Sequence, residues 1–354
     1  MTRSEVQVQQ GIERARRARP RLKDQHITMA HGAGGKATAT LVEALFVPAF
    51  DNHVLERLTD AAVMPGGIAL TTDAYVVSPL RFPGGSIGSL AVHGTVNDLA
   101  VSGARALGLS AAFVLEEGLP IEVLRAEVEA AGAAARDAGV AIVTGDTKVV
   151  ERGKADGLYI VTSGVGRVEL PGLDPASLRP GDRVLCSGYV GDHGTAIMLA
   201  RDDMGLEADV ASDTRPLWPV AAALGAAAGS GLRVMRDATR GGVATVLNEL
   251  AMASDVGVVI AESAVPVRPV VHGACELLGL DPLYVANEGV LIAVIAADVA
   301  DAALAAVRGA PGGEDAELIG EVAADPPGMV LVRTGIGGHR ILDTLIGDPL
   351  PRIC

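Results

Sequence analysis

The sequence predicts two α/β or α+β units in one chain, followed by an extended tail. Strand-like apolar runs alternate with helix-like periodicity in both halves, an order that fits layers of helix and sheet and does not fit a single barrel. A stretch rich in Pro and Gly, Pro171 to Gly181, interrupts the alternation and marks a boundary between compact units. With 354 residues, 49% of them hydrophobic, the chain is long enough for two cores. The expected divisions are residues 1–26 as a flexible N-terminal extension, 27–168 as the first unit, 169–333 as the second, and 334–354 as a mobile tail.

Residues 1–26 are polar and basic, with no apolar run beside their arginines. Thr28 to Lys36 forms a glycine loop ahead of a helical pattern in which Leu41, Val42, Leu45 and Phe46 share a face. The loop departs from a P-loop, because Ala30 stands where the first glycine of that motif belongs and Ala37 where its Ser or Thr belongs. Its backbone N–H groups at a helix start still suit phosphate, and an ordinary tight turn has the same appearance. Ile68 to Thr72 reads as a buried strand ending at Asp73, Ile87 to Ser102 as a helix, and Leu107 to Leu115 as a strand. The helix from Pro120 to Ala138 has Pro in its first turn, Val123, Leu124 and Val128 at helical spacing, and Gly139 beyond its end. Val140 to Thr144 is a short strand running into Gly145-Asp146-Thr147-Lys148, and Leu158 to Val165 closes the first unit.

In the second half, a strand at Arg183 to Ser187 leads into a glycine-punctuated turn, Gly188 to Gly194. Helices are expected near His193 to Ala200 and Val220 to Ala228, and a strand at Arg233 to Met235. Arg236 to Gly242 then opens a helix reaching Ser254. Val256 to Ala261 is a strand, Val270 to Leu278 a helix, and Asn287-Glu288-Gly289 precedes the strongly apolar strand Val290 to Ile295. A helix at Ala300 to Val307 and strands near Glu317 to Val322 and Met329 to Arg333 complete the unit.

The net charge of −14 and 3% aromatic content argue against a nucleic-acid partner, which needs a basic surface and stacking rings. An acidic chain still binds ATP when Mg²⁺ bridges carboxylates to phosphates. Three cysteines, Cys186, Cys275 and Cys354, without a CxxC pair fit neither a disulfide framework nor a structural zinc site, and a reducing cytoplasm is expected. The longest apolar run, Val290 to Ala297, is far short of the roughly 20 residues of a membrane span, so no membrane association is expected.

Two sets of residues carry chemistry. Asp60, Asp73, Asp98 and Asp237 each end a strand or loop among small residues. Oxygen ligands from separate segments are what Mg²⁺ takes, and such aspartates also serve as caps and turns; spacing alone does not bring the four together. The second set is the tail. Gly335 to Gly338 is expected to act as a hinge, and Pro349 and Pro351 hold the last residues extended. From Asp348 to Cys354 such an arm reaches about 20 Å. Cys354 is thus a terminal thiol able to enter the active site and leave it. The terminal carboxylate disfavours its thiolate, and Arg352 is expected to offset that charge. Cys186 and Cys275 read as buried and inert, His31 and His93 as structural.

Thr71-Thr72-Asp73, Asn97-Asp98, Gly145-Asp146-Thr147 and Asp237 to Gly242 resemble the ATP-site motifs of the aminoimidazole ribonucleotide synthetase and selenophosphate synthetase superfamily. Phe82-Pro83-Gly84-Gly85, Thr144 to Val150, Asn287-Glu288-Gly289 and the Pro-Arg-Ile-Cys end are similar to the HypE family of hydrogenase-maturation carbamoyl dehydratases. The resemblance runs from about Ile27 to Cys354 and leaves only the N-terminal extension outside it. It implies a two-domain aminoimidazole ribonucleotide synthetase-like fold and a homodimer paired through the N-terminal domains. It also implies that the partner HypF places a carbamoyl group on Cys354, that ATP drives its dehydration to a thiocyanate, and that the HypC–HypD pair receives the cyano group. On this resemblance ATP is bound by Asp73, Asn97, Asp98, Gly145, Asp146, Thr147 and Asp237, and Mg²⁺ by Asp60, Asp73, Asp98 and Asp237. Lys148 is the expected contact to a phosphate or the carbamoyl group, and Glu288 the expected base. Two other readings remain open here: a synthetase of the same superfamily acting on a small diffusible substrate, and a nucleotide-binding scaffold whose C-terminal peptide is a docking tag.

Overall fold

The computed structural model describes residues 22–201, 208–335, 337–345, 347 and 352–354. Most of the expected N-terminal extension and the proline segment of the tail, with Pro349 and Pro351, therefore lie outside the described residues.

The first unit carries β1 (Ala62–Met64), β2 (Ile68–Tyr75), a short hairpin of β3 (Arg81–Phe82) and β4 (Gly85–Ser86), β5 (Ala104–Glu116), β6 (Ile142–Val150) and β7 (Leu158–Val168). Its sheet has the order β1-β2-β7-β5-β6. All neighbours are antiparallel except β5 and β6, which run parallel and are joined across the helix Ile121–Asp137. β6 is the outer strand, exposed from Ile142 to Val149, and it carries the strand expected at Val140 to Thr144 on through Gly145 to Lys148.

The second unit carries β8 (Arg183–Cys186), β9 (Leu232–Asp237), β10 (Gly257–Ala261), β11 (Leu291–Ile295), β12 (Glu317–Ala323), β13 (Met329–Arg333) and β14 (His339–Leu342), in the sheet order β14-β13-β10-β12-β8-β11-β9. Every residue of β11 is buried, which explains its unbroken apolar sequence: both faces of the strand meet cores. Helix Gly242–Ser254 packs on one face and helices Trp218–Ala228 and Ala300–Arg308 on the other. β14 corrects an expectation. The glycines from Gly335 to Gly338 are not a hinge; they turn a hairpin, closed by Thr334 and Gly338, that returns 339–342 to the sheet edge.

The two units share one helix, Ile87–Val101, in which every residue but Ser89 and Asp98 is buried. It lacks a polar face because it packs on β2, β5 and β7 of the first unit and on β9 and helix Trp218–Ala228 of the second. Asn97 joins the units. Its amide nitrogen donates to the carbonyls of Arg215 and Glu288, each at 3.0 Å, and its oxygen accepts the N–H of Leu217 at 2.8 Å. Among the described residues no helix is long and apolar enough to cross a membrane. Replacing Asn97 with Ala leaves these three buried groups without partners. The expected loss is about 2–4 kcal/mol, read as a lower urea midpoint. An unchanged midpoint would show that the units do not depend on this amide.

Candidate active site

Asp60 precedes β1, Asp98 stands on the shared helix, and Asp237 ends β9. Their carboxylate oxygens lie within 4.8 Å of one another. Thr71 Oγ1 sits 2.6 Å from Asp98 Oδ2 and 3.0 Å from the carbonyl of Asp60, fixing the two segments together. Arg236 Nε lies 2.9 Å from Asp60 Oδ2, and the same guanidinium reaches Glu249 at 2.9 Å. Burial pushes all three carboxyls up and neighbouring carboxylates, Asp73 among them, add to it, while Arg236 works against the rise at Asp60 and Asp237; Asp237 is raised to about 8. Three oxygen donors from three segments, with a single arginine against them, suit a hard divalent ion such as Mg²⁺, whose charge relieves the repulsion.

Asp73 stands beside this group and is not one of the three that present ligand atoms together. Burial raises its carboxyl too, while hydrogen bonds with Asp98 and the Tyr75 hydroxyl, 3.3 Å away, work against that. Tyr75 fits because it crosses the shared helix at Gly94, where a Cβ would lie 2.1 Å from its hydroxyl oxygen. Glu288 is buried and held well above the usual carboxylate range, first by desolvation and then by the charges of Asp213, Asp237 and Asp73. Its position is set from the backbone: the Asp213 carboxylate accepts the N–H of Glu288 at 3.0 and 3.2 Å and that of Gly289 at 2.9 Å.

The end of the chain is docked beside these groups. Val76 N–H donates to the Cys354 carbonyl at 3.0 Å, and Ser78 N–H to the Arg352 carbonyl at 3.1 Å. Arg201 donates to the carbonyls of Ser78 and Arg352 at 2.9 and 2.8 Å, and Ile353 is buried against Tyr75, Val77 and Ile87. Cys354 lines a cavity of about 440 Å³ together with Ala74, Val76, Tyr159, Arg240 and Tyr284. Arg240 and Arg352 both line it, and the charge at Cys354 is the largest influence on the Arg240 guanidinium, with Asp73, Glu288 and Tyr75 adding to it. Arg352, expected to offset the terminal charge, instead pairs with Asp156. The glycine loop packs here as well. A Cβ on Gly34 would meet Arg240 at 2.8 Å, and Lys36 N–H is bonded to the Leu345 carbonyl, not open to a phosphate.

The other expected site residues lie elsewhere in this chain. Asn97 is turned to the backbone of the second unit, where its nitrogen donates two hydrogen bonds and its oxygen accepts one. Gly145, Asp146, Thr147 and Lys148 lie on the outer strand β6, beside a cleft of about 760 Å³ that includes none of the four aspartates. Lys148 pairs with Asp146 at 2.8 Å. Cys186 and Cys275 are buried, their thiols pushed up to about 12 and about 11 by desolvation. His31 and His93 are buried and are not members of the aspartate cluster: His31 Nδ1 accepts the Thr28 N–H and its Nε2 lies 3.4 Å from Asp24, and His93 Nδ1 contacts Thr214 Oγ1. Sequence reasoning did not single out Arg236, Arg240, Tyr75 or His193. Arg240 lies inside the quoted motif from Asp237 to Gly242, and Tyr75 two residues beyond Asp73, where strand alternation returns to the same face.

Comparison with known proteins agrees with this architecture. Residues 58–168 match the N-terminal domain of AIR synthase related proteins and residues 179–332 their C-terminal domain, which makes the chain a member of that class. Over 338 residues it is 54% identical to the carbamoyl dehydratase HypE of Cupriavidus necator, covering 94% of this chain and 96% of that protein. A solved HypE in a HypE–HypF complex superposes with a TM-score of 0.82 at 45% identity, covering 86% of this chain and 99% of that one. The hydrogenase maturation protein HypE solved in complex with ATP gives 0.78 at 47% identity, covering 93% and 100%. The chain belongs to the HypE family of carbamoyl dehydratases.

A carboxyl raised to about 8 in the fold, against about 4 in an unfolded chain, favours folding when protonated; that stability is present at low pH and lost as pH rises towards 8. In chelator, the melting temperature of wild type is therefore expected to fall from pH 5 to pH 8 more steeply than that of Asp237→Asn. Added Mg²⁺ is expected to restore the wild type at pH 8 and not the variant. Parallel pH curves for the two proteins would contradict the cluster's assignment.

Proposed function

We propose that this chain is an ATP-dependent dehydratase whose substrate group is carried on its own terminal thiol. An S-carboxamide on Cys354 loses water to become a thiocyanate, the source of the cyanide ligand in [NiFe] hydrogenase assembly. One observation carries the reading: Cys354, the last residue, docks into a cavity with Arg240, whose charge also interacts with Asp73 and Glu288 beside the aspartate cluster. The family's dehydratases and the ATP-bound HypE support the reaction class, and the HypE–HypF complex supports HypF as the protein that loads the thiol.

An amide oxygen is a poor leaving group. Transfer of the γ-phosphoryl of ATP to the carboxamide oxygen converts it to phosphate; loss of that phosphate and of two protons from nitrogen leaves C≡N, with ADP as the other product. Phosphoryl transfer asks mainly for charge neutralisation and positioning. A Mg²⁺ ion supplies neutralisation when held by Asp60, Asp98 and Asp237, with Asp73 close by. Glu288 has its proton held by desolvation and by the charges of Asp213, Asp237 and Asp73. Neutralising Asp237 and Asp73 removes two of those influences and shifts Glu288 towards the range in which it takes a proton from nitrogen. Arg240 balances the negative charge at the tail.

Lys148 acts, on this reading, from a second copy. β6 is an exposed edge strand with Val143 70% and Val149 66% exposed, a surface suited to pairing in a homodimer. The organisation is then residues 27–168 for nucleotide and dimer, 169–342 as the second domain with β14 at its sheet edge, and 343–354 as the carrier segment, with HypC–HypD as acceptor and the cytoplasm as setting.

The test is the intact mass of the C-terminal peptide after incubation with HypF, carbamoyl phosphate and Mg-ATP. The expected result is a carbamoyl adduct on Cys354 that loses one water only with hydrolysable ATP. An unmodified Cys354 beside active HypF would favour a small diffusible substrate. Asp98→Asn is expected to abolish ATP cleavage in a folded protein. Glu288→Gln is expected to slow loss of water by about 100-fold or more while loading proceeds.

A further inference from the structure

His193 is fully buried at the start of helix Asp192–Ala200, and both of its ring nitrogens are engaged. Nε2 lies 2.7 Å from the Ile353 carbonyl and Nδ1 lies 2.8 Å from Ser212 Oγ. A carbonyl oxygen only accepts, so Nε2 carries the proton, and Nδ1 accepts from the Ser212 hydroxyl. Ser212 Oγ accepts in turn from the Thr214 N–H at 3.1 Å, and Ser212 N–H donates to the Pro83 carbonyl at 2.8 Å. The edge-on contact with Phe82, at 5.6 Å between centroids, holds the ring plane. Desolvation lowers the ring's pKa to about 4, so the neutral form persists at physiological pH. The loop that supplies Ser212 also supplies Asp213, whose carboxylate seats the backbone of Glu288 and Gly289.

We propose that His193 is a positioning residue that clamps the docked tail and joins docking to the seating of Glu288. The functional meaning rests on reading Cys354 as the carrier and Glu288 as the base. Arg201, Ser78 and Val76 hold the tail as well, and His193 is hydrogen-bonded on one side to the tail and on the other to the loop behind Glu288. When the tail leaves, the Nε2–H loses its acceptor inside an apolar pocket, which biases the chain towards the docked state. The ordered run is Ile353 carbonyl, His193, Ser212, Asp213, Glu288. A tail that has left therefore loosens the loop that seats the base.

Two measurements on the full chain, without partner or nucleotide, test this. Iodoacetamide modification of Cys354, followed by peptide mass, is expected to be about 10-fold faster in His193→Ala than in wild type. His193→Gln, whose amide can donate to the same carbonyl, is expected to return towards the wild-type rate. Amide hydrogen exchange at residues 287–289 is expected to rise in His193→Ala. It is expected to rise equally in Ile353→Asp, which expels the tail without touching the ring. Ser212→Ala breaks the run without emptying the core, and keeps the test available if His193→Ala does not fold; both readouts should rise in it. Unchanged alkylation in folded His193→Ala, or in Ser212→Ala where that variant stands in, overturns the clamp; unchanged exchange at 287–289 in Ile353→Asp overturns the coupling. Neither readout depends on what Cys354 carries, so the carrier reading stands or falls separately, on the mass of the loaded peptide.

Discussion

A helix without a solvent face has to be enclosed, and the enclosure of Ile87–Val101 by both units is the constraint on which the site depends. Asp98 is one of two residues on that helix short of full burial, and it is aimed at the seam where Asp60 arrives from the first unit and Asp237 from the second. Gly94 gives Tyr75 room to cross the helix, and Asn97 hooks the backbone around Glu288. The three carboxylates repel one another, so only a rigid frame keeps them together before a cation arrives. Packing thus supplies what the charges oppose.

The charges in the seam are arranged in two compartments. Arg236, backed by Glu249, answers Asp60 on one side. Arg240 answers the chain terminus on the other, with Asp73, Tyr75 and Glu288 between them. On the proposed reading, a cation bound in the first compartment would be felt in the second through those shared carboxylates, a physical route from nucleotide loading to the proton affinity of Glu288.

Much of this was legible in the chain. Alternating apolar periods marked both units, the helix from Pro120 was placed within a residue at each end, and the strongly apolar strand expected at Val290 to Ile295 is β11, buried throughout. The motif positions Asp60, Asp98 and Asp237 meet in space. What was not legible depended on tertiary pairing. The glycines at 335–338 permit a hinge and a hairpin alike, and only the partner strand Met329–Arg333 decides between them. The strand expected to end at Thr144 continues through Asp146 and Lys148, because β5 recruits them into a parallel ladder. Arg240 answers the charge at the terminus, while Asp156, distant in sequence, captures Arg352.

Among the described residues the end of the tail is held largely through its main chain: the carbonyls of Arg352, Ile353 and Cys354 take hydrogen bonds, while the Ile353 side chain is buried and that of Arg352 pairs with Asp156. Such contacts do not read the thiol. On the proposed carrier reading, a bare thiol, a loaded one and a converted one would all present the same carbonyls and the same isoleucine, so any discrimination among them would fall to the cavity around Cys354 and not to the backbone grip.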